Sequence, residues 1–297
     1  MANDREGVVA CVYGPSGIGK TVDTGYSFPR ALFIAAPGAL TSIKTTCGYQ
    51  PAVAEATTIE EATKLLGQAK KSYSAIVFDD FSFIAEQTIS AIEKKKTGFA
   101  LWGAIRDQVL HFRNEARYAG IDVVMSCWEQ PPKVNPNGAK IKGGPMLPGK
   151  LPEQVPAMCD IVLRAGYEPK RQPWHGVYRC SGDPSFTMKD RFNIAQKSDP
   201  APMNLAEILR AAGLHIPRLP DMEKNEEIVQ VFSDKLITLE GADLENFAND
   251  TYSMLLSESM PEEEAIWILR DALDRSIIRK ALTKRRLKFF QTAENVL

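Results

Sequence analysis

The sequence has 297 residues, and its 36 lysines and arginines against 37 aspartates and glutamates give a formal net charge of −1. With 44% hydrophobic and 25% charged residues, the composition excludes a disordered or fibrous chain, and no apolar run approaches the about eighteen residues of a membrane-spanning helix. The balanced charge also excludes a surface coated in positive charge, so contacts with nucleic acid must be confined to local patches.

The first half alternates between short apolar runs and longer helical patterns. Six runs predict strands: Gly7–Tyr13, Ala31–Ala35, Ser74–Phe78, Ile121–Cys127, Asp160–Arg164 and Gly176–Cys180. Between them, Thr58–Ala69 and Leu101–Tyr118 carry apolar residues at the three-to-four spacing of a helix. Strands separated by helix-length segments indicate βαβ units, so we predict an α/β fold with a mostly parallel, doubly wound sheet flanked by helices.

Two later regions have a different texture. The segment Lys133–Lys150 is rich in proline, glycine, asparagine and lysine, and we predict a long loop there. Beyond residue 220 the strand signals nearly vanish, and three helical patterns follow at Lys224–Ile237, Leu244–Leu256 and Glu262 to about Phe290. We therefore predict a core over residues 1–220 and a small helical C-terminal domain over residues 221–297.

The five cysteines are widely spread and form no CxxC pair, and the three histidines are equally scattered. This pattern does not favour a zinc site or a disulfide framework. Cys11 and Cys127 lie within apolar strand-like runs, where a buried thiol is expected. Reduced thiols indicate a cytoplasmic protein.

One segment fits the phosphate-binding pattern GxxxxGK[ST] at every position. It follows the first apolar run directly and consists of Gly14, Pro15, Ser16, Gly17, Ile18, Gly19, Lys20 and Thr21. The glycines let backbone N–H groups surround a phosphate, Lys20 reaches the β- and γ-phosphates, and Thr21 supplies a hydroxyl to Mg²⁺. We therefore predict ATP and Mg²⁺ as cofactors. Gly25 and Pro29 limit the following helix to about two turns.

Polar side chains follow two later strands. The run from Ala75 ends in Asp79 and Asp80, and Asp79 is the better partner for Mg²⁺ because it follows the apolar residues directly. Asp80 either polarises the attacking water or caps the next segment. At the end of the next strand, Ser126 and Glu129 face the γ-phosphate or are solvated loop residues.

With these features the sequence resembles the RecA-like phage P-loop ATPases linked to single-strand annealing and recombination. The resemblance covers about residues 7–195. It is carried by Tyr13–Thr21, Ile76–Asp80, Trp102-Gly103, Gly144–Lys150 and Met188–Phe192.

The resemblance implies a RecA-like core that forms a ring or filament on single-stranded DNA, with ATP between neighbouring subunits. A single-strand-binding protein is a further partner in keeping with it. If a phage encodes the protein, we expect it in the host cytoplasm, and the lack of a long apolar run predicts no membrane contact. The resemblance also places the Lys133–Lys150 loop at the DNA. It assigns Lys189 and Arg191 to the γ-phosphate of the neighbouring subunit, where a cation supplied in trans stabilises the transferring phosphoryl group. A solvated charged turn is the alternative for this pair.

The sequence departs from that family at one catalytic position. RecA-like ATPases commonly carry a glutamate at the end of the strand after the P-loop helix, whereas Leu32–Gly38 contains no acid. Either Asp80 or another carboxylate positions the water, or hydrolysis is slow. Three functions stay open: an ATPase acting on single-stranded DNA in recombination, annealing or replication; a motor that translocates or packages DNA; and a nucleotide-binding structural protein with little hydrolysis.

Two basic regions are candidates for nucleic-acid contact. The long loop carries lysines at 133, 140, 142 and 150, which suit phosphate contacts as well as plain solvation. The segment Arg270–Lys288 is basic, with eight cations against two acids, and it has an apolar face. It suits nucleic acid or an acidic partner, but we favour packing on the acidic segment Asp221–Glu264 of the same chain.

Overall fold

A computed structural model describes residues 7–36, 38–149, 151–167, 176–217 and 225–294. Its helices are α1 Lys20–Ser27, α2 Thr41–Cys47, α3 Ile59–Ala69, α4 Phe81–Glu93, α5 Gly98–Arg117, α6 Leu151–Met158, α7 Leu205–Ala211, α8 Glu226–Leu236, α9 Gly241–Ser257 and α10 Glu262–Glu294. Its strands are β1 Val9–Gly14, β2 Leu32–Ala35, β3 Ala52–Ala54, β4 Ala75–Asp79, β5 Asp122–Gln130, β6 Lys133–Val134, β7 Lys140–Ile141, β8 Gly144–Pro145, β9 Ile161–Tyr167, β10 Gly176–Arg179, β11 Lys189–Asp190 and β12 Ala201–Pro202.

The central sheet has the strand order β12-β10-β9-β1-β5-β4-β2-β3. The strands from β9 to β3 in this order are parallel, and β10 and β12 are added antiparallel at one edge. One strand, β5, lies between β1 and β4. The carboxyl ends of β1, β4 and β5 therefore open at the same edge, where open α/β sheets bind their ligands.

Both faces of the sheet are covered, as the alternation of side chains along β1 requires. Val9, Cys11 and Tyr13 pack in a cluster that includes residues of α3, α4 and α5. Ala10 and Val12 of the same strand pack in a second cluster with residues of α2 and α7. A third cluster is formed within α8, α9 and α10, which fill the span that the sequence predicts as helical.

The predicted fold class is confirmed as an α/β core with a mostly parallel sheet flanked by helices, in which the P-loop follows β1, and a helical C-terminal region. The two-turn length of the P-loop helix is also confirmed, because α1 has 8 residues. No described helix is both long and apolar enough to cross a membrane. The domain boundary at residue 220 lies outside the described residues and stays a prediction.

The long-loop prediction for Lys133–Lys150 is only partly right. The segment begins with a small hairpin in which β6 pairs antiparallel with β7. After the hairpin, β8 pairs antiparallel with the end of β5 and fixes the base of the segment to the sheet. Gly143 also forms a parallel bridge with Phe186. The segment is therefore anchored at its base, with an exposed hairpin beyond; Lys150 lies outside the described residues.

Candidate functional site

The phosphate loop leaves β1 at Gly14 and enters α1 at Lys20. Gly14 passes so close to β9 that a Cβ there would lie 2.7 Å from the carbonyl oxygen of Ala165. Gly19 precedes α1 with a φ of 102°, in the left-handed region that glycine adopts without steric cost. These two glycines explain why the chain can turn sharply from strand to helix and leave its N–H groups open to a ligand.

The Lys20 side chain lies back against the loop. Its Nζ donates to the carbonyl oxygens of Gly14 and Pro15, both at 2.9 Å, and only 9% of the residue is exposed. Burial lowers the pKa of Lys20, while Asp79 and Asp80 act in the opposite direction. Among the residues described, no carboxylate oxygen lies within the 4.0 Å of an ion pair with Lys20. A buried ammonium satisfied only by neutral carbonyls fits an anionic polyphosphate.

Thr21 and Asp79 meet at the carboxyl end of β4. The Thr21 hydroxyl lies 3.0 and 3.1 Å from the two carboxylate oxygens of Asp79, which is 4% exposed. Burial raises the pKa of Asp79, and hydrogen bonds from Ser126 and Thr21 oppose that rise. Mg²⁺ in nucleotide sites usually takes one or two protein oxygens together with phosphate oxygens and waters. The hydroxyl and carboxylate of this pair fit that requirement.

Ser126, on β5, joins the two aspartates. Its hydroxyl donates to Asp79 Oδ1 at 2.8 Å and accepts the N–H of Asp80 at 3.0 Å. Ser126 is 2% exposed, so it is not the solvated loop residue that one of the two sequence interpretations proposed. It lies instead beside the Thr21–Asp79 pair, as the other interpretation predicts.

Asp80 adopts φ 64° and ψ 62°, a left-handed conformation uncommon for a residue with a side chain. Its carboxylate accepts the N–H of Phe83 at 3.1 Å and so caps α4. Burial is the main cause that raises the pKa of Asp80 to about 6. The structure thus shows the capping alternative, and Asp80 also lines the cavity beside the P-loop.

A cavity of about 340 Å³ opens beside these residues. Its lining consists of Ser16, Gly17, Gly19, Lys20, Thr21, Val22, Ala39, Ser42, Asp79, Asp80, Ser126, Cys127 and Trp128. Sequence reasoning did not identify Ala39, Ser42 and Trp128. Trp128 lies on β5, directly after the run that the sequence predicts as a strand, so its position at a predicted strand end is the signal that could have found it. Ala39 and Ser42 lie in the connection from β2 and at the start of α2, where no such local signal marks them.

Glu129 does not line this cavity, although the sequence made it a candidate for the γ-phosphate. Its carboxylate forms a bidentate ion pair with Arg164, at 2.7 Å from Nε and 3.1 Å from Nη2. The Arg164 guanidinium carbon lies 3.6 Å from the centre of the Phe186 ring. In this arrangement Glu129 is fixed by β9 rather than turned toward a nucleotide.

Lys189 and Arg191 are engaged in local contacts away from the cavity. Lys189 Nζ donates to the carbonyl oxygens of Pro156 at 2.6 Å and Cys159 at 2.8 Å, where a cation stabilises the end of α6. Arg191 pairs with Asp160 at 2.6 Å, and its side chain remains 55% exposed. Their predicted role at a neighbour's γ-phosphate stays a prediction.

The end of β2 carries no acid. Ala35 of β2 lies beside Asp79 of β4, and the described residues that follow it are Ala36, Gly38, Ala39 and Leu40. The departure from the RecA-like pattern is therefore also a feature of the site.

The basic C-terminal helix packs on acidic residues of the same chain over its described side chains. Arg279 pairs with Asp234 at 2.5 Å, and Lys280 pairs with Glu240 at 2.7 Å. Arg275 lies 2.6 Å from Glu226. The interpretation favoured from the sequence is confirmed for these residues; the side chains beyond residue 282 lie outside the description.

The described cysteines are free thiols, and Cys11 and Cys127 are buried as predicted, with their sulfurs 4.0 Å apart.

The fold, the loop and the Thr21–Asp79 pair define a P-loop nucleotide-binding protein. Residues 6–192 match the model of the AAA domain family, and the chain belongs to that family. No curated protein matches the sequence. Among solved structures, the RadB recombinase is similar, with 18% identity over 59% of this chain and 80% of that one, and a TM-score of 0.35.

Proposed function

We propose that this protein binds MgATP at Gly14–Thr21 and hydrolyses it while acting on single-stranded DNA in recombination, annealing or replication. The observation that carries the nucleotide part is the buried Lys20 ammonium beside the Thr21–Asp79 pair, in a cavity edged by the P-loop. Lys20 would hold the β- and γ-phosphates, and Thr21 and Asp79 would hold Mg²⁺, which neutralises charge that develops on phosphoryl transfer.

A charge deletion at Lys20 tests the nucleotide site. Lys20→Ala should abolish binding of a fluorescent ATP analogue with Mg²⁺. The matched control is Lys64→Ala, which removes an exposed lysine paired with Glu60 on α3 and should bind as the wild type does. Equal binding by Lys20→Ala and the wild type would refute the site.

An exposed basic and aromatic surface between α4 and α5 supports the DNA part. Lys94, Lys95 and Lys96 are exposed, and Phe99 is 97% exposed two residues after Thr97. Trp102 is 49% exposed, and its ring lies 3.3 Å from the position that a Cβ on Gly149 would take. The surface between α4 and α5 therefore lies next to the base of the segment that carries the β6–β7 hairpin.

Neither of these neighbouring segments contains an acid: residues 94–99 hold three lysines, and residues 131–149 hold Lys133, Lys140 and Lys142. Lysines that contact phosphates beside an aromatic ring on which a base can stack are the combination that single-stranded nucleic acid requires. Sequence reasoning identified the second segment but not Phe99, because one aromatic residue after a lysine run carries no periodic signal.

The DNA surface is tested with two aromatic substitutions on one helix. Phe99→Ala should weaken binding of a fluorescent single-stranded oligonucleotide by about 5- to 150-fold, since stacking on one base is worth about 1–3 kcal/mol. Tyr118, at the other end of α5 and 80% exposed, provides the control Tyr118→Ala, which should leave the anisotropy titration unchanged. If Phe99→Ala binds the oligonucleotide as tightly as Tyr118→Ala does, this surface is not the DNA-binding surface.

We also propose that the protein acts in the cytoplasm and assembles into a ring or filament with ATP bound between neighbouring subunits. Arg191 is exposed over half of its side chain and is the cation suited to reach a neighbouring copy.

One observation favours a second function, that of a nucleotide-binding structural protein with little hydrolysis. The described end of β2 has no carboxylate, and the Asp80 carboxylate already caps α4. Phosphate release measured with and without single-stranded DNA separates the two. A slow rate that DNA does not raise, in a protein that still binds MgATP, would favour the structural role.

A further inference from the structure

The helix that follows the phosphate loop depends on tertiary contacts for its position. α1 has 8 residues, contains Gly25 and has no side-chain hydrogen bond at its N-terminus. Helices this short are marginal in isolation, and a glycine in a helix costs about 1 kcal/mol relative to alanine. Because Lys20 and Thr21 begin this helix, whatever holds α1 also sets the geometry of the nucleotide site.

The face of α1 turned away from the cavity is held by polar contacts. The Tyr178 hydroxyl on β10 donates to Asp23 Oδ2 at 2.5 Å, and the Ser27 hydroxyl accepts the N–H of Ala206 on α7 at 3.0 Å. Asp23 is 1% exposed, and its Oδ1 has no hydrogen-bond partner among the described residues. A carboxyl group buried in this way is costly to ionise, and a cation nearby lowers that cost.

Arg270 of α10 contacts α1 on this side. Its guanidinium carbon lies 5.0 Å from the centre of the Tyr26 ring on α1, within the range of a cation–π contact. Its Nη2 donates to the carbonyl oxygen of Met203 at 2.9 Å, and its Nε lies 3.9 Å from Asp274 Oδ2. Burial raises the pKa of Asp23, and the hydrogen bond from Tyr178 and, at longer range, the charge of Arg270 act against that rise.

The same part of α10 is fixed to the core by a second set of bonds. Asn204, which caps α7, donates to Asp271 at 3.1 Å and to Asp274 at 3.3 Å. Asp274 is 1% exposed, and its Oδ1 has no hydrogen-bond partner among the described residues. Arg270 therefore links the C-terminal helix, where its Nε lies 3.9 Å from Asp274, to the ring of Tyr26 on the P-loop helix.

We propose that Arg270 is a positioning residue for the nucleotide site: it holds α1 from behind through Asp23 and Tyr26, so that nucleotide binding and docking of α10 stabilise each other. The inference rests on the proposed function, since it requires MgATP to bind at the P-loop. A nucleotide that orders α1 strengthens the surface on which Arg270 docks, and a docked Arg270 prepares α1 for the nucleotide. By linkage the two effects are equal in free energy.

The coupling is measured first as nucleotide affinity. Arg270→Ala should weaken binding of the fluorescent ATP analogue with Mg²⁺ by about 5- to 150-fold, the usual range for coupled sites. Arg270→Lys keeps the charge and should restore part of the affinity. Arg279→Ala on the same helix removes an exposed arginine that pairs with Asp234, and it should bind as the wild type does.

The second readout is the rate of hydrogen exchange in residues 262–282, measured with and without nucleotide. If Arg270 had only a structural role, its removal would not change the effect of nucleotide on this rate. In the wild type and in Arg279→Ala, the ATP analogue should slow exchange there; in Arg270→Ala it should not. If Arg270→Ala does not fold, Tyr178→Phe takes its place, because it removes only the hydroxyl that bonds Asp23 and should show the same loss in smaller measure.

The possible failures are distinguishable. A wild-type protein that binds no ATP analogue overturns the proposed function and, with it, the coupling. The coupling alone is overturned by a different result. In that result the wild type binds the analogue, and Arg270→Ala or Tyr178→Phe has the same affinity and the same nucleotide-dependent exchange as the wild type.

Discussion

Removal of the Ser126 hydroxyl should weaken the metal site without unfolding the protein. This hydroxyl donates to Asp79 Oδ1 at 2.8 Å and accepts the Asp80 N–H at 3.0 Å, so Ser126→Ala breaks both bonds. The bond to the carboxylate matters more, because hydrogen bonds to charged groups contribute about 1.5–3 kcal/mol, against about 1 kcal/mol for neutral pairs. Asp79 would then keep its contact with Thr21 but lose the bond that orients it from β5.

If most of that energy acts on the orientation of Asp79, the apparent affinity for Mg²⁺ should fall by about 10- to 150-fold. The assay is a Mg²⁺ titration of ATP turnover or of ATP-analogue binding at constant nucleotide. Ser198→Ala is the control, since Ser198 is also buried, at 8% exposed against 2% for Ser126, and its hydroxyl bonds only main-chain carbonyls, at Ile194 and Ala195. An unchanged Mg²⁺ titration in Ser126→Ala would show that Asp79 does not bind the metal in the way described.

Two further predictions concern stability. Burial raises the pKa of Asp274 from its ordinary 3.8 to about 7, so this carboxyl destabilises the folded protein increasingly as the pH rises from about 4 to 7. Asp274→Asn should therefore become more stable relative to the wild type over that range, by at most about 4 kcal/mol, since each pKa unit corresponds to about 1.36 kcal/mol. The measurement is urea unfolding of both proteins at pH 5 and pH 8. The same difference in free energy of unfolding at the two pH values would contradict this. Thr58 and Glu61 form a capping box at the start of α3, so Thr58→Ala should lower the free energy of unfolding by about 1 kcal/mol and leave nucleotide affinity unchanged; a large loss of affinity would show that α3 is coupled to the site.

The parts of the site that sequence reasoning found are local in the chain. The P-loop is a contiguous motif after a strand, and Asp79 follows an apolar run directly, so chain order alone indicates their position. Ser126 was a candidate because it lies near the end of a predicted parallel strand. Its bonds to Asp79 and Asp80 join residues 47 and 46 positions apart, and no local pattern shows which of several polar residues will make them.

The parts that were missed depend on tertiary structure. α4 begins directly after Asp80, with no glycine or proline between it and β4, so no turn signal in the sequence marks where the strand ends and the helix begins. Lys189 looks like a solvated cation in the sequence, but it reaches main-chain carbonyls at the end of a helix about thirty residues earlier. The role of Arg270 arises only because α10 returns to the P-loop helix, at a separation that no sequence period reports.

The central claim is that the P-loop couples ATP to single-stranded DNA, and phosphate release measured with and without an oligonucleotide tests it most directly. The account predicts Mg²⁺-dependent release that single-stranded DNA increases in the wild type and in Lys64→Ala, and no release in Lys20→Ala. Equal release by Lys20→Ala and the wild type would contradict the assignment of the site, and wild-type release that DNA leaves unchanged would contradict the coupling to DNA.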